Sequence, residues 1–228
     1  MKIAEIYRSI QGEGLLTGTE SVFVRTSGCN LRCWFCDTPF TSWAPEGEEL
    51  PVDKIMAQVE RLECNHVVLT GGEPLLWADA VALTQALQSA GRHVTVETAG
   101  TVFLPIHCDL LSLSPKFASS APASITPGGW HERHQRARHA PAVIRRMLGG
   151  YVYQMKFVVD TPPDCQSVEQ YLAEFPEIDR GRVLLMPQGT SVADLSRRAE
   201  WLEPYCTSAG FRYCPRRQIE WFGLTRGT

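Results

Sequence analysis

Three cysteines in the run GCNLRCWFC, Cys29, Cys33 and Cys36, combine a residue type and a spacing that suit metal chemistry. The run follows a predicted strand at residues 21–26, and α/β proteins place their ligand sites at the carboxyl ends of parallel strands. Three thiolates can bind three irons of a [4Fe-4S] cube and leave the fourth iron without a protein ligand. The amino and carboxylate groups of a small molecule can chelate that iron. The spacing therefore predicts a cluster with one open, functional iron.

Two other interpretations of these cysteines stay open. A structural zinc site normally has four closed ligands, and nothing within the loop completes the set, although Cys64, Cys108 or a distant His could. The three cysteines could also simply pack in a core. The remaining cysteines stand alone in the sequence, which is typical of small buried hydrophobes; they are Cys64, Cys108, Cys165, Cys206 and Cys214.

The TGGEP run at residues 70–74 is a second candidate motif, directly after a predicted strand at residues 66–69. Because Gly71 and Gly72 have no side chains, their backbone can approach a ligand closely and present carbonyl groups to an ammonium. A tight turn fixed by the glycines and Pro74 is the alternative. The position of the run after the second strand of a chain with the cysteine motif favours ligand binding.

Composition narrows the class of protein. With 44% hydrophobic and 21% charged residues, the 228-residue chain is typical of a soluble globular protein. Its net charge of -3 lacks the basic surplus of nucleic-acid binders, so we expect a small-molecule substrate. No apolar run suits a signal peptide or a membrane span, which predicts a cytosolic protein. In that reducing compartment, clustered cysteines indicate metal or redox chemistry rather than disulfides.

Apolar runs alternate with helical stretches, the pattern of a parallel sheet built from βα units. Strands are predicted at residues 21–26, 66–69, 93–97, 109–114, 152–159 and 182–186, with edge strands at 4–7 and 218–221. Helices are predicted at residues 52–62, 78–90, 131–148, 167–174 and 192–209. A closed eightfold barrel typically needs about 250 residues. Six units therefore predict an α/β fold with an open, partial (β/α)6 barrel, in one domain at residues 1–228.

The cysteine loop and the GGEP run together resemble the radical S-adenosylmethionine (SAM) superfamily, whose partial (β/α)6 barrel agrees with the predicted strands. Further runs are similar to one family within it, 7-carboxy-7-deazaguanine synthase. These runs are SIQGEG at 9–14, FVR at 23–25, CDT at 36–38, ETAG at 97–100, SPK at 114–116 and MPQG at 186–189. The resemblance implies a radical SAM carbon-nitrogen lyase. It would convert 6-carboxy-5,6,7,8-tetrahydropterin to 7-carboxy-7-deazaguanine and ammonia, on the route to queuosine and other 7-deazapurines.

The resemblance also assigns roles to residues of this chain. It implies substrate contacts at Ile10, Gln11, Gly12, Glu13, Arg25, Thr70 and, at the chain end, Thr228. It implies SAM contacts at Gly72, Glu73, Ser114, Pro115, Lys116 and Gln188. It implies that Cys29, Cys33 and Cys36 hold the [4Fe-4S] cluster and that Thr38 ligates Mg2+, a hard cation that suits a hydroxyl oxygen.

Simpler interpretations of these polar residues stay open. Arg25 could form a salt bridge at a strand end, and Gln11 and Glu13 could belong to a polar loop. Thr38, or Asp37 before it, could cap the next turn. Glu97 could hold an internal lysine or arginine.

The family further implies a flavodoxin-like electron donor and a homodimer. His131, His134 and His139 lie among arginines on a predicted helix; a charged helix usually faces solvent, and we assign them no catalytic role. Two functional alternatives remain: an activase that makes a glycyl radical on a partner protein, and a non-catalytic zinc-binding module.

Overall fold

One sheet of nine strands organises the chain in the computed structural model, which describes residues 1–228. In chain order the strands are β1 (Lys2–Ile10), β2 (Glu20–Thr26), β3 (Glu48–Glu49), β4 (His66–Gly71), β5 (His93–Thr98), β6 (Leu110–Leu113), β7 (Tyr153–Val159), β8 (Val183–Pro187) and β9 (Arg212–Tyr213). Their order across the sheet is β3-β1-β2-β4-β5-β6-β7-β8-β9. From β2 to β9 every neighbouring pair is parallel, whereas β1 is antiparallel to β2 and β3.

The sheet does not close on itself, because β3 and β9 are edges without a further partner. The six longer parallel strands β2, β4, β5, β6, β7 and β8 coincide with the six predicted main strands. The predicted partial (β/α)6 barrel is therefore confirmed. The apolar run at residues 4–7 is also a strand, as predicted, within the longer β1.

Eight helices surround the sheet: α1 (Pro39–Ser42), α2 (Val52–Arg61), α3 (Asp79–Ser89), α4 (Trp130–Ala137), α5 (Pro141–Gly150), α6 (Pro162–Glu174), α7 (Val192–Ala209) and α8 (Arg217–Phe222). The stripe that predicted α2 buries Ile55 and Val59 against the core. No helix has both the length and the apolar character that a membrane crossing requires.

Two predicted elements were wrong. The predicted edge strand at residues 218–221 is helix α8, of which only Ile219 is buried. Four residues of alternating polarity fit one helical turn as well as a short strand. Periodicity therefore could not distinguish a helix from a strand in this segment. The single helix predicted at residues 131–148 is two helices, α4 and α5. Pro141 disfavours helical backbone at Ala140, which has φ -130° and ψ 74°.

The two faces of the parallel strands differ in polarity, because successive side chains point to opposite faces. One face packs against the helices and forms the main apolar core; it includes Val22, Val24, Val67, Leu69, Val94, Val96, Leu111, Leu113, Met155 and Phe157. The intervening residues on the inner face include polar side chains that line a cavity: Arg25, Thr70, Glu97, Ser112 and Lys156. The strand register aligns Arg25 with Thr70 and Glu97 with Ser112. The fold thereby gathers a polar row inside the barrel.

The end of β4 lies directly against the backbone of the cysteine loop. The amide of Gly72 donates to the carbonyl of Thr26 at 3.1 Å, and the amide of Glu73 donates to that of Gly28 at 2.9 Å. A Cβ at Gly72 would overlap the Gly28 carbonyl group and approach the Thr41 carbonyl oxygen to 2.9 Å. Only a glycine allows these two segments to meet.

We expect Gly72→Ala to push the β4 end and the cysteine loop apart and to lower the free energy of unfolding by about 1–3 kcal/mol. Gly149→Ala is the control, since nothing lies within 4 Å of a Cβ at Gly149. In helix α5 the control should be neutral or stabilising by up to about 1 kcal/mol. Urea unfolding measures both, and equal stabilities of the two variants would contradict the close approach.

Candidate active site

A cavity of about 300 Å³ opens at the carboxyl ends of the parallel strands and lies inside the partial barrel. That volume falls in the range of small-molecule sites. Most of the residues to which the sequence assigned roles line it together: Ile10, Gln11, Gly12, Glu13, Arg25, Cys29, Cys33, Cys36, Thr38, Thr70, Gly72, Ser114, Lys116, Gln188 and Thr228. The fold therefore brings the cysteine loop, the β4 end and the chain end to one place.

The three cysteines of the loop share the cavity wall. Cys33 is buried, whereas Cys29 and Cys36 are partly exposed. Burial raises the pKa of the Cys29 thiol to about 12 and that of Cys33 to about 11. Binding of iron requires the thiolates and would release these protons.

The arrangement of the three thiols fits a cube better than a single ion. No three side chains of ligand type are placed to hold one metal ion. A [4Fe-4S] cube gives each thiolate an iron of its own, so the sulfurs need not converge on one point. Cys64 and Cys108 precede β4 and β6, at the opposite end of the strands, and cannot complete a zinc site with the loop. The residues present therefore fit the cluster.

Two of the residues expected to contact SAM lie off the cavity. Glu73 has no exposed surface; its carboxylate accepts from the Thr98 hydroxyl at 2.8 Å and from the Leu75 and Ala99 amides at 3.1 and 2.9 Å. These bonds fix the TGGEP turn against β5, so Glu73 supports the turn from behind. Pro115 lines a separate, smaller cavity of about 90 Å³.

Glu13 is the centre of a buried ionic network. One of its carboxylate oxygens accepts from the Lys156 ammonium, and the other from Arg216 Nε at 3.2 Å and Gln218 Nε2 at 2.5 Å. Burial alone would raise the pKa of Glu13, but Lys156 and Arg216 hold it at about 2. Arg216 also pairs with Asp37, next to the last cysteine of the loop.

Lys156 and Arg216 were not among the predicted site residues, and the sequence pattern gives a signal only for Lys156. Lys156 stands within the apolar run YQMKFVV of β7, where a charged residue is buried only with a partner. Glu97 lies 4.0 Å from the Lys156 ammonium, in line with the expectation that it holds an internal cation. Arg216 follows the last strand in an irregular segment, and its sequence position gives no hint of a partner 203 residues away.

Arg25 forms the predicted salt bridge at a strand and still faces the cavity. Its Nε donates to Glu5 at 2.7 Å and its Nη2 to the Tyr7 hydroxyl at 2.6 Å, while Nη1 has no partner in the chain. The neighbouring Thr70 donates to Glu97 at 2.8 Å, and Gln11 donates to the same carboxylate at 3.4 Å. These bonds hold the polar row in place and leave donors free on Arg25.

Thr38 occupies the N-cap position of α1, yet its side chain makes no capping hydrogen bond. Its hydroxyl lines the cavity and accepts from the Thr41 hydroxyl at 3.3 Å. Asp37 does not cap the helix with its carboxylate either, since that group pairs with Arg216. The Thr38 hydroxyl therefore faces the cavity without a capping role, and it also lies 3.8 Å from Cys36 Sγ.

The chain end covers the mouth of the cavity, where residues 223–228 contribute to the lining. Arg226 anchors this tail. Its guanidinium lies 3.7 Å from the centroid of the Phe40 ring and pairs with Glu46 at 3.0 Å and Glu5 at 3.7 Å. The tail thus connects to the helix that follows the cysteine loop and to β1.

His134 is buried, contrary to the expectation that its helix simply faces solvent. Its Nδ1 accepts from the backbone amide of Arg32 at 3.1 Å, and its Nε2 lies 2.9 Å from the Ser120 hydroxyl. Because Nδ1 accepts, a neutral ring carries its proton on Nε2 and donates it to Ser120. Burial lowers the pKa of His134 to about 4, which favours this neutral form. The ring thus fastens the cysteine loop to α4.

Substitutions at His134 should distinguish the roles of its two ring nitrogens. In His134→Asn an amide oxygen can replace Nδ1 and keep the bond from Arg32, whereas His134→Gln extends towards Nε2 and leaves that buried amide unpaired. An unpaired buried amide costs about 1–3 kcal/mol. We expect the Gln variant to unfold at lower urea concentration and to retain less iron per chain after gel filtration than the Asn variant. Equal behaviour of the two variants would argue against this clamp.

Comparisons with known proteins agree with the site. The sequence-family model of the radical SAM superfamily matches residues 23–119 of this chain. The 7-carboxy-7-deazaguanine synthase of Rhodopirellula baltica is 48% identical over 99% of this chain and 88% of its own length. The 7-carboxy-7-deazaguanine synthase of Halobacterium salinarum is 46% identical over 96% of this chain and 89% of its own length.

Two solved structures share the fold. The crystal structure of QueE from Escherichia coli has a TM-score of 0.67 at 24% identity, and the match covers 94% of this chain and 92% of that chain. Streptococcus suis SuiB bound to S-adenosylmethionine has a TM-score of 0.56 at 18% identity, and the match covers 85% of this chain and 49% of that chain. Identities of 46% and 48% over nearly the whole chain show the family. The chain belongs to the 7-carboxy-7-deazaguanine synthase family of the radical SAM superfamily.

Proposed function

We propose that this protein is the radical SAM lyase that converts 6-carboxy-5,6,7,8-tetrahydropterin to 7-carboxy-7-deazaguanine with release of ammonia. The observation that carries the proposal is a single cavity that joins the three-cysteine loop to a row of polar side chains on the inner sheet face. The carboxytetrahydropterin offers a carboxylate, an amino group and an amide edge, and that row contains donors and acceptors for each.

The cofactors are a [4Fe-4S] cluster and SAM. Cys29, Cys33 and Cys36 would hold the cluster, and Gly72 would offer its backbone to the methionyl ammonium. When bound, the cluster and SAM together supply the one-electron cleavage that starts radical chemistry. The Lys116 ammonium already donates to the Ser114 carbonyl at 2.6 Å and hydroxyl at 2.7 Å, which fixes both side chains at the cavity wall.

Gln188, from the β8 end, lines the same wall and completes the polar groups available to SAM. Its amide can pair with the adenine or ribose edge. The buried Glu73 would act indirectly, since it holds the turn that carries Gly72.

The substrate would lie between the polar row and the chain end. Arg25 has an unused Nη1 with which to bind a carboxylate, and its charge is secure because Glu5 and Tyr7 raise its pKa despite burial. The Glu13 carboxylate is stable as an anion at any pH near neutrality, so it can accept hydrogen bonds from the ring amino group. Thr70 and Glu97 would contact the ring from the adjacent strands.

The N-terminal loop and the chain end would complete the pocket. Ile10 provides an apolar wall, while Gln11 and Gly12 place backbone and amide groups beside Glu13. Thr228 is a candidate contact because the tail that carries it lines the cavity.

Anaerobic incubation with the carboxytetrahydropterin, SAM and dithionite should yield 7-carboxy-7-deazaguanine and ammonia, detected by mass spectrometry and an ammonia assay. Cys33→Ser should give no detectable product, because the cluster loses a ligand. Cys108→Ser is the control, since Cys108 lies at the other end of the strands, and should retain activity. Release of deoxyadenosine without the deazaguanine would favour the glycyl-radical activase, and zinc without iron would favour the zinc-binding module.

Mg2+ is part of the proposal, with Thr38 as its protein ligand. Mg2+ usually keeps several waters and takes few protein oxygens, so one hydroxyl at the cavity wall suffices when substrate oxygens complete the shell. The unused capping position of Thr38 supports this assignment.

Thr38→Ala should abolish the stimulation of turnover by Mg2+, whereas Thr38→Ser, which keeps the hydroxyl, should preserve most of it. Initial rates at increasing Mg2+ concentration measure the effect. The iron content of both variants serves as the control for an intact cluster loop. The assignment fails if the Ala variant responds to Mg2+ as the wild type does.

Three further features belong to the proposal. A flavodoxin-like protein would deliver the electron and the enzyme would be a homodimer, as the family resemblance implies. The protein would act in the cytosol, as its apolar pattern predicts. The single domain is supported by a sheet that includes strands from residue 2 to residue 213.

A further inference from the structure

Arg216 connects three segments of the active site that are far apart in the chain. Its Nε donates to Glu13 at 3.2 Å, its Nη1 to the Gly189 carbonyl at 2.5 Å, and its Nη2 to the Asp37 carboxylate. These acceptors belong to the loop after β1, the segment after β8 and the cysteine loop. All three guanidinium nitrogens are therefore engaged, and the side chain is only 6% exposed.

The start of α8, which carries Arg216, packs directly on the loop after β1. The amide of Arg217 donates to the Gly12 carbonyl at 3.0 Å. A Cβ at Gly12 would overlap the backbone and the side chain of Gln218, so the two segments are in close contact. The backbone of Arg216 is thus fixed to the loop that carries Glu13, while its side chain reaches the cysteine loop.

The two carboxylates that Arg216 joins differ in their other partners. Glu13 also accepts from the Lys156 ammonium and from Gln218 Nε2. Asp37 forms its only ion pair with Arg216. Loss of Arg216 would therefore leave Glu13 partly paired but would release the Asp37 carboxylate from the rest of the site.

The two arms of Arg216 lead to the two proposed ends of the substrate. Asp37 lies between Cys36, a proposed cluster ligand, and Thr38, the proposed ligand of Mg2+. A contact that fixes Asp37 also restrains the backbone on both sides of it. Glu13, on the other arm, is the proposed acceptor for the ring amino group. A substrate bound through Mg2+ at Thr38 and through Glu13 would be held at two points whose separation depends on one guanidinium.

A guanidinium suits this role because it is planar and its donors have fixed directions. A lysine carries all its donors on one nitrogen and cannot replace three separate nitrogens. Burial alone would lower the pKa of Arg216, but the carboxylates of Asp37 and Glu13 raise it, so the group stays charged. Arg216 is thereby a rigid, charged connection between the two loops.

We infer that Arg216 is a positioning residue, which sets the distance between the cysteine loop and Glu13 and thereby determines how tightly the substrate binds. The inference rests on the proposed function, since it requires that the carboxytetrahydropterin extends from Thr38 to Glu13. Asp37 then contributes to substrate binding only through Arg216.

The test measures the dissociation constant of the carboxytetrahydropterin for enzyme loaded with cluster, SAM and Mg2+, without reductant, so that no turnover occurs. Anaerobic equilibrium dialysis gives this constant for each variant. We expect Arg216→Lys to raise it at least about tenfold, because a buried, hydrogen-bonded ion pair is broken. Asp37→Ala should raise it at least about threefold, because the cysteine loop loses its contact with Arg216.

The double variant R216K/D37A distinguishes a positioning role from direct contact. It should bind the substrate within about twofold of R216K alone, because Asp37 has no further effect once the guanidinium is gone. Effects of the two substitutions that multiply would show that Asp37 contacts the substrate itself, and would overturn the inference.

Arg198→Lys is the matched control. Arg198 on α7 forms a forked pair with one carboxylate oxygen of Asp160, at 3.0 Å from Nε and 2.5 Å from Nη2, and it does not line the active-site cavity. This variant should bind the substrate as the wild type does. Iron and sulfide per chain should match the wild type in all variants. Loss of the cluster from Arg216→Lys would assign Arg216 a structural role instead.

Wild-type affinity in Arg216→Lys or in Asp37→Ala would overturn the inference. Because Asp37 is partly exposed, its variant keeps the test decisive even if Arg216→Lys does not fold. A wild-type enzyme that binds the carboxytetrahydropterin but forms no deazaguanine with dithionite would refute the proposed function and leave the positioning role standing. A wild-type enzyme that does not bind it would refute both.

Discussion

The buried carboxylate of Glu13 is the contact on which the shape of the site depends. The sheet is open between β3 and β9, so backbone hydrogen bonds do not join its two edges. Glu13, in the loop after β1, connects the two halves of the sheet, since it binds Lys156 of β7 and Arg216 after β9. A buried ion pair is weak evidence for stability, because desolvation offsets most of the attraction. The network matters here because it holds these segments in position. Removal of one partner would leave the charge of the other unpaired inside the cavity.

The cysteine loop depends on supports that lie outside the cysteines. Backbone hydrogen bonds join it to the end of β4, where Gly72 permits the close approach. The buried ring of His134 ties Arg32 to α4, and Arg216 ties Asp37 to the chain end. A loop of irregular backbone is thereby held from three sides. A cluster whose ligands come from one short loop can then keep a fixed position relative to the polar row on the strands.

Much of the fold could be predicted from local patterns, and the failures have separate causes. The six main strands are rich in Val, Leu and Phe and lie between turn residues, and α2 has a clear apolar stripe. The segment at 218–221 was too short for its period to distinguish strand from helix. The two-residue strands β3 and β9 exist because neighbouring strands accept their hydrogen bonds, which no local pattern encodes.

The chemistry of this protein can be inferred from motifs that are local in the chain. The spacing of Cys29, Cys33 and Cys36 and the TGGEP run indicate the radical SAM superfamily, because a three-thiol cluster and a glycine turn need particular residues close together in the chain. Further short runs, such as SIQGEG at 9–14, indicate the family within it. Tertiary structure alone decided which polar groups surround that chemistry. Strand register placed Arg25, Thr70 and Glu97 in one row, and long-range packing brought Arg216 to Glu13 and His134 to Arg32. The last two pairs lie 203 and 102 residues apart, and only the folded core brings them within hydrogen-bond distance.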